Sequence, residues 1–147
     1  MRHLALAAML PLALMPALAC AGGDSDTLTK FGLIGDWAFD CKAFPSPTNP
    51  FVTFIPSTAG QPTRQITTGN PQHDALVPIG DTALLDDTHL RLSYPQGAVT
   101  VTVTLLKDNG RVRPLEARAS DGTVSVVAGL VQRTGQPTAW LEKCTAQ

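Results

Sequence analysis

From Val99 to Leu105 the chain reads Val-Thr-Val-Thr-Val-Thr-Leu, a strict alternation of apolar and polar residues. In a strand, successive side chains leave opposite faces, so Val99, Val101, Val103 and Leu105 share one face and Thr100, Thr102 and Thr104 the other. Such a strand needs neighbours that keep the same face apolar, and this requirement sets an expected register on either side. A three-residue loop Asp108-Asn109-Gly110, with Gly110 left-handed in a bulge, places Val103 opposite Leu115 and Val101 opposite Ala117. A two-residue Asn109-Gly110 turn would instead set Val103 against Glu116. An Asp121-Gly122 turn then pairs Ala119 with Val124, Ala117 with Val126 and Leu115 with Ala128. On the other side, a loop Pro95-Gln96-Gly97-Ala98 brings Leu92 across from Val101 and Leu90 across from Val103. Four consecutive strands thus share one apolar face. Pro114 has no N–H for a ladder, which implies a bulge or an exposed edge at that point.

The rest of the chain agrees with an all-β domain. Seven of the twelve prolines fall between Pro45 and Pro78, where they oppose helices, and no period of 20–50 residues repeats. Period-two patterning bounded by turn residues marks strands at 34–44, 51–55, 64–68, 75–79, 89–94, 98–107, 111–119, 123–133 and 138–144. The expected fold is an antiparallel meander closing into a small barrel, with a β-sandwich as the alternative.

The N-terminus reads as an export signal. Met1-Arg2-His3 supplies a positive charge, residues 4–14 are apolar apart from Pro11, and Ala17-Leu18-Ala19 has the small-x-small form that signal peptidases cut. The apolar run is too short to span a bilayer. Residues 1–19 are therefore expected to be a signal peptide, 20–33 a flexible tether beginning at Cys20, and 34–147 the β domain. Cys20 directly follows the signal, and the segment resembles the lipobox of bacterial lipoproteins. That resemblance implies a lipid on Cys20 and a periplasmic domain anchored to the outer membrane; a soluble periplasmic or secreted protein, cut after Ala19 or Ala21, is the alternative. The cysteine count favours the lipid. Of three cysteines, Cys41 and Cys144 can pair in an oxidising compartment, and acylation accounts for the third.

Trp37 stands four residues before Cys41, and Trp140 four before Cys144. On a strand each Trp shares a face with its Cys. A Cys41–Cys144 bond closes a loop of roughly 100 residues, constraining the unfolded chain by about 4.7 kcal/mol on the chain-entropy model, and requires the two ends of the domain to meet. Gly35-Asp36-Trp37 resembles the G-x-W element that opens lipocalins, avidins and small periplasmic metalloprotease-inhibitor barrels. The resemblance implies an eight-stranded up-and-down barrel that holds a small ligand or docks on a protein, with the Trp closing one end.

Reactive constellations are nearly absent. Asp86-Asp87-Thr88-His89 reads either as a polar turn or as a source of metal or general-base groups, and it lacks a known ligand spacing. No serine stands in a nucleophile elbow, and no Gly-rich loop leads into a helix. We expect no catalytic residues, no metal and no cofactor. With 11 Lys and Arg against 12 Asp and Glu, the chain offers no electrostatic footprint for nucleic acid or an anionic membrane surface, so membrane contact is expected only through Cys20. The candidate binding residues are Trp37, Tyr94, Arg113, Trp140 and Glu142. Arg113 shares the apolar parity of its strand and is either a cation at a cavity rim or a solvated strand end. Glu142 is either a ligand contact or exposed on a terminal strand. Tyr94 shares the face of Leu90 and Leu92, with its hydroxyl at an edge, and both tryptophans read first as core plugs beside the disulfide. The expected role is non-catalytic binding of a small apolar or amphipathic ligand. The alternative is a protein-binding inhibitor or immunity-type lipoprotein that acts through loops or a sheet edge on a periplasmic protein.

Overall fold

The computed structural model describes residues 24–58 and 61–145; the signal segment and Cys20 lie outside the described residues. In chain order the elements are helix α1 (Asp24–Phe31) and strands β1 (Gly35–Ala38), β2 (Phe51–Ile55), β3 (Thr63–Thr67), β4 (Ala75–Pro78), β5 (Thr82–Leu84), β6 (His89–Gln96), β7 (Val99–Asp108), β8 (Arg111–Ala119), β9 (Val124–Val127), β10 (Leu130–Val131) and β11 (Leu141–Cys144). All strands join one antiparallel sheet in the order β4-β3-β2-β1-β11-β8-β7-β6-β5, with β9 also on β8 and β10 on β9. The domain is therefore the expected antiparallel β structure, but the sheet is not closed. Its path ends on β4 and β5, which do not pair, because the chain leaving Pro78 turns at Ile79-Gly80 and lays β5 on β6 instead. The sheet curls until β4 comes near β6, and the inner face becomes the core.

Val101, Val103 and Leu105 are buried there with Leu90, Leu92, Ala117 and Val126, on the apolar face expected of them, but in β8 the face switches: Val112, of opposite parity to Ala117, is buried and Arg113 only half-buried. The register also differs from the expected one. Asn109 and Gly110 both have positive φ, 47° and 75°, and make a two-residue turn with Asp108 opposite Arg111. That φ pair suits the twist of a tight hairpin. The misfit that such a turn creates is removed further along by a bulge: Leu105 faces Pro114, but Thr104 faces Glu116, leaving Leu115 as the extra residue. Val103 thus lies opposite Ala117 and Val101 opposite Ala119. On the other side a two-residue Gly97-Ala98 loop sets Leu92 across from Val103 and Leu90 across from Leu105.

Beyond β8, Ala117 pairs with Val126 as expected, but Val124 faces Arg118, and the turn takes in Ser120 as well as Asp121 and Gly122. Residues 123–133 do not form one strand. The chain reverses at Ala128-Gly129, both at positive φ, and makes the β9–β10 hairpin, so Ala128 does not pair with Leu115; Gly129 N–H donates to the Leu115 carbonyl instead. Pro114 marks the point where the sheet forks. Before it β8 pairs with β11, after it with β9, and the Pro114 carbonyl accepts from Thr138 Oγ1 at 2.7 Å.

The two chain ends meet. Cys41 and Cys144 form a disulfide with their Cα atoms 5.3 Å apart, across 103 residues of sequence. The first strand is shorter than expected and stops at Ala38, so Cys41 lies in a turn. Asn49 pins that turn by accepting from Asp40 N–H and donating to the Asp40 carbonyl.

Residues 24–33 correct the tether reading. Asp24–Phe31 is helical, and Leu28, Phe31 and Leu33 are almost fully buried. The helix ends in a Schellman arrangement. Gly32, at φ 83°, donates to the Thr29 carbonyl and Leu33 to the Leu28 carbonyl, a conformation that glycine adopts without a Cβ penalty. Two lysines complete the cap: Lys107 Nζ donates to Phe31 O at 2.8 Å and Lys143 Nζ to Gly32 O at 2.9 Å. Cations there also oppose the negative end of the helix dipole. At the other end Asp24 accepts from the Thr82 N–H and hydroxyl, which fastens the helix to β5.

Candidate functional site

The inward row across β2, β3 and β4 carries an unexpected residue. Val52 and Phe54 are buried on the inner face of β2. Their cross-strand partners are Ile66 and Arg64, and those of β4 are Ala75 and Val77. Arg64 therefore takes a core-facing place between Phe54 and Val77. The facing wall comes from β6 and β7, and between the walls lies a cavity of about 260 Å³, bordered by Phe54, Leu92, Val101, Val103 and Val126, with Arg64 and Tyr94 at one side.

Arg64 stacks on Tyr94, with its guanidinium carbon 4.6 Å from the ring centroid. Burial lowers its pKa and the neighbouring Tyr94 partly offsets this, yet an arginine stays charged at any physiological pH. Among the described residues, no carboxylate forms a salt bridge with it, and no side-chain hydrogen bond engages it. A second hollow, of about 320 Å³, lies between β3–β4 and the end of β6 and is also bordered by Arg64, Tyr94 and Gln96. The Arg64–Tyr94 pair thus stands between the apolar interior and the gap left by the unclosed sheet.

Of the residues singled out in the sequence, Tyr94 borders this cavity, half-buried. Trp37 is a core residue with 2 % of its surface exposed, and its Nε1–H donates to the Leu33 carbonyl at 2.7 Å. It does not line the cavity. Trp140 is not a core plug. It is half-buried just before β11, with the Arg111 and Arg113 guanidinium carbons 5.0 and 4.7 Å from its ring centroid. Arg113 borders the cavity, but its guanidinium is held over Trp140 and against Gly129, and its buried Nε has no hydrogen-bond partner among the described residues. Glu142 is exposed and faces Ala38 and Arg111 in the register. The candidates therefore fall into separate groups, and besides Arg113 the cavity is bordered by a second cation, Arg64, which is not among the residues singled out from the sequence. A signal existed: Arg64 has the parity of Ile66 on one strand, though parity reveals an inward cation only once the apolar face of that strand is known.

Asp86-Asp87-Thr88-His89 folds as a turn entering β6. The Asp86 carboxylate accepts from Thr88 N–H, Thr88 Oγ1 and His89 N–H, and lies 2.9 Å from His89 Nδ1. Among the described residues, no group of three or more His, Cys, Asp and Glu side chains is placed to hold a metal. The Thr88 main-chain N–H first, then His89 and the Thr88 hydroxyl, hold the Asp86 carboxyl well below the usual carboxylate range. Since the folded value lies below the unfolded one, the stabilisation is present above the ordinary pKa of about 3.9 and lost as pH falls through the depressed folded value. In a carbon NMR titration Asp86 should remain ionised below the pH at which other exposed carboxylates have protonated; an ordinary midpoint would show the turn is not held this way.

Comparison with protein-family models, with curated proteins and with solved structures finds no match to this chain.

Proposed function

We propose that this chain is a non-catalytic binding protein of the bacterial periplasm, carried by a lipid on Cys20, that holds a small amphipathic ligand inside its curled sheet. The observation that supports this most is the mainly apolar cavity bordered by a few polar side chains, among them Arg64, Tyr94 and Gln96, the usual composition of a small-molecule site. Its volume of about 260 Å³ lies near the lower limit of ligand pockets, about 300 Å³, and suits a slim single chain. The long-range disulfide supports an oxidising compartment, in keeping with the signal-like N-terminus.

The reading is tested by filling the cavity. Val103, 5 % exposed, borders it between Leu92 and Ala117. Val103→Phe should cut binding of the neutral fluorophore N-phenylnaphthylamine by ten-fold or more while the far-UV circular dichroism stays that of the parent. Equal binding by parent and variant would remove the cavity as the site. Native mass spectrometry of the domain taken from its own envelope should find a bound small molecule. Metabolic labelling with a clickable fatty acid tests the anchor: label should appear on the parent and vanish in Cys20→Ala.

One observation favours docking on a protein instead. Phe44 is 91 % exposed on a loop held by the Cys41 bond and by Asn49, so an apolar ring is presented on a braced turn. A protein rather than a small molecule co-purifying in the same experiment, and lost in Phe44→Ser, would select that reading.

A further inference from the structure

We infer that the ligand of this cavity is a single-chain amphiphile with an anionic oxygen head group, carboxylate or phosphate, which Arg64 binds at the gap between β4 and β6 while the chain enters the apolar interior. The inference rests on the cavity reading above and names its ligand class.

Several observations converge on it. Arg64 occupies an inward position in the row Phe54–Arg64–Val77, where an apolar side chain would complete the core face. Arg64 is half-buried and, among the described residues, has no carboxylate partner, so a ligand closing over it would have to supply an anion, because removing a charge from water is costly unless it is paired. Its planar face is taken up by Tyr94, which leaves the N–H edges of the guanidinium as the groups able to meet a ligand. Those edges match two oxygens of a carboxylate or phosphate side by side. Arg64 and Tyr94 border both the interior cavity and the outer hollow, so a head group at Arg64 remains near water while its chain turns inward past Leu92 and Val103. Gln96 borders both spaces too and adds a donor at the same opening. A neutral ligand would leave the cation unpaired, and a fully polar anion would leave the apolar walls without a partner.

The test is displacement of N-phenylnaphthylamine from the intact soluble domain by decanoate, decyl phosphate and decanol, which share one chain and differ in head group. At neutral pH at least one of the two anions should displace the probe at a concentration roughly ten- to a hundred-fold below that of decanol, as expected for a charge-assisted hydrogen bond. The stronger of the two identifies the head group. Arg64→Met keeps the bulk of the stem and should abolish the advantage, bringing the anions level with decanol. Arg64→Lys keeps the charge without the planar fork and should retain part of it. Equal displacement by all three in the parent, or an anion advantage that survives Arg64→Met, overturns the inference while the cavity reading stands. If neither the probe nor decanol binds the parent, the cavity reading itself falls, and the inference with it.

Discussion

Replacing Cys41 and Cys144 together by serine should lower the free energy of unfolding by about 2–5 kcal/mol, the range seen when a native disulfide is removed from a small domain. The bond spans 103 residues of sequence, so it restricts nearly the whole unfolded domain. Its place in the sheet adds to this. Strands β1 to β4 and the meander β6 to β8 are joined through β11, which pairs with β1 over three residue pairs and with β8 over only two. The bond from Cys144, the last residue of β11, to the turn beyond β1 therefore reinforces the three-pair seam between β11 and β1. Urea unfolding should show a lower midpoint in the double variant, with a slope equal to or steeper than that of the parent because the uncrosslinked chain unfolds to a more expanded state. The parent in reductant should match the variant. A shift of less than about 0.5 kcal/mol, the level of an ordinary surface change, would mean that β11 and α1 hold the two halves without the bond.

The second large effect is expected at Phe31. Phe31→Ala should cost about 3–5 kcal/mol, the range for removing a buried aromatic ring. The ring is 1 % exposed, joins the core with Leu28 and Leu33, and lies under Lys107 Nζ at 4.5 Å from its centroid. The loss combines a cavity, a cation–π contact and a weakened helix end whose Phe31 carbonyl accepts from the same lysine. If residues 24–33 were a tether, the same substitution would change stability by less than about 0.5 kcal/mol. Thermal or urea unfolding separates the two outcomes. Phe31→Leu, which refills much of the space, should recover most of the loss.

These two sites show unequal legibility in the sequence. The cysteine pair was readable because compartment, parity and matching Trp positions all pointed to it. Helix α1 was not, because eight residues hold only two buried apolar positions, Leu28 and Phe31, and a polar stretch with two aspartates looks the same as a linker. Gly32 was the available signal: a glycine after a basic last turn and before an apolar residue fits a helix stop. The hairpins failed in a different way. Side chains alternate with period two, so registers that differ by two residues bury the same face equally well. The expected register sets Leu92 against Val101 and Val103 against Leu115; the protein sets Leu92 against Val103 and Val103 against Ala117, and all three of these stay buried on the inner face. A two-residue turn with a bulge at Leu115 and a three-residue loop with its bulge at Gly110 also serve equally to keep Glu116 off the inner face. The bulge formed beside Pro114, where the missing N–H makes interruption of the ladder cheapest.

The sequence by itself determined the strand class, the inner face of the meander at Leu90, Leu92, Val101, Val103, Leu105, Ala117 and Val126, and the pairing of the two cysteines, because these depend on residue alternation and on cysteine chemistry. Only the tertiary structure decided the register, the folding of residues 24–33 into the core, and the open edge between β4 and β6. It also decided that a second cation, Arg64, borders the cavity in addition to Arg113, whose guanidinium is held over Trp140. Those outcomes depend on which strand lies beside which: Arg64 is a polar residue of unremarkable sequence context until Phe54 and Val77 flank it and Tyr94 meets it from across the sheet.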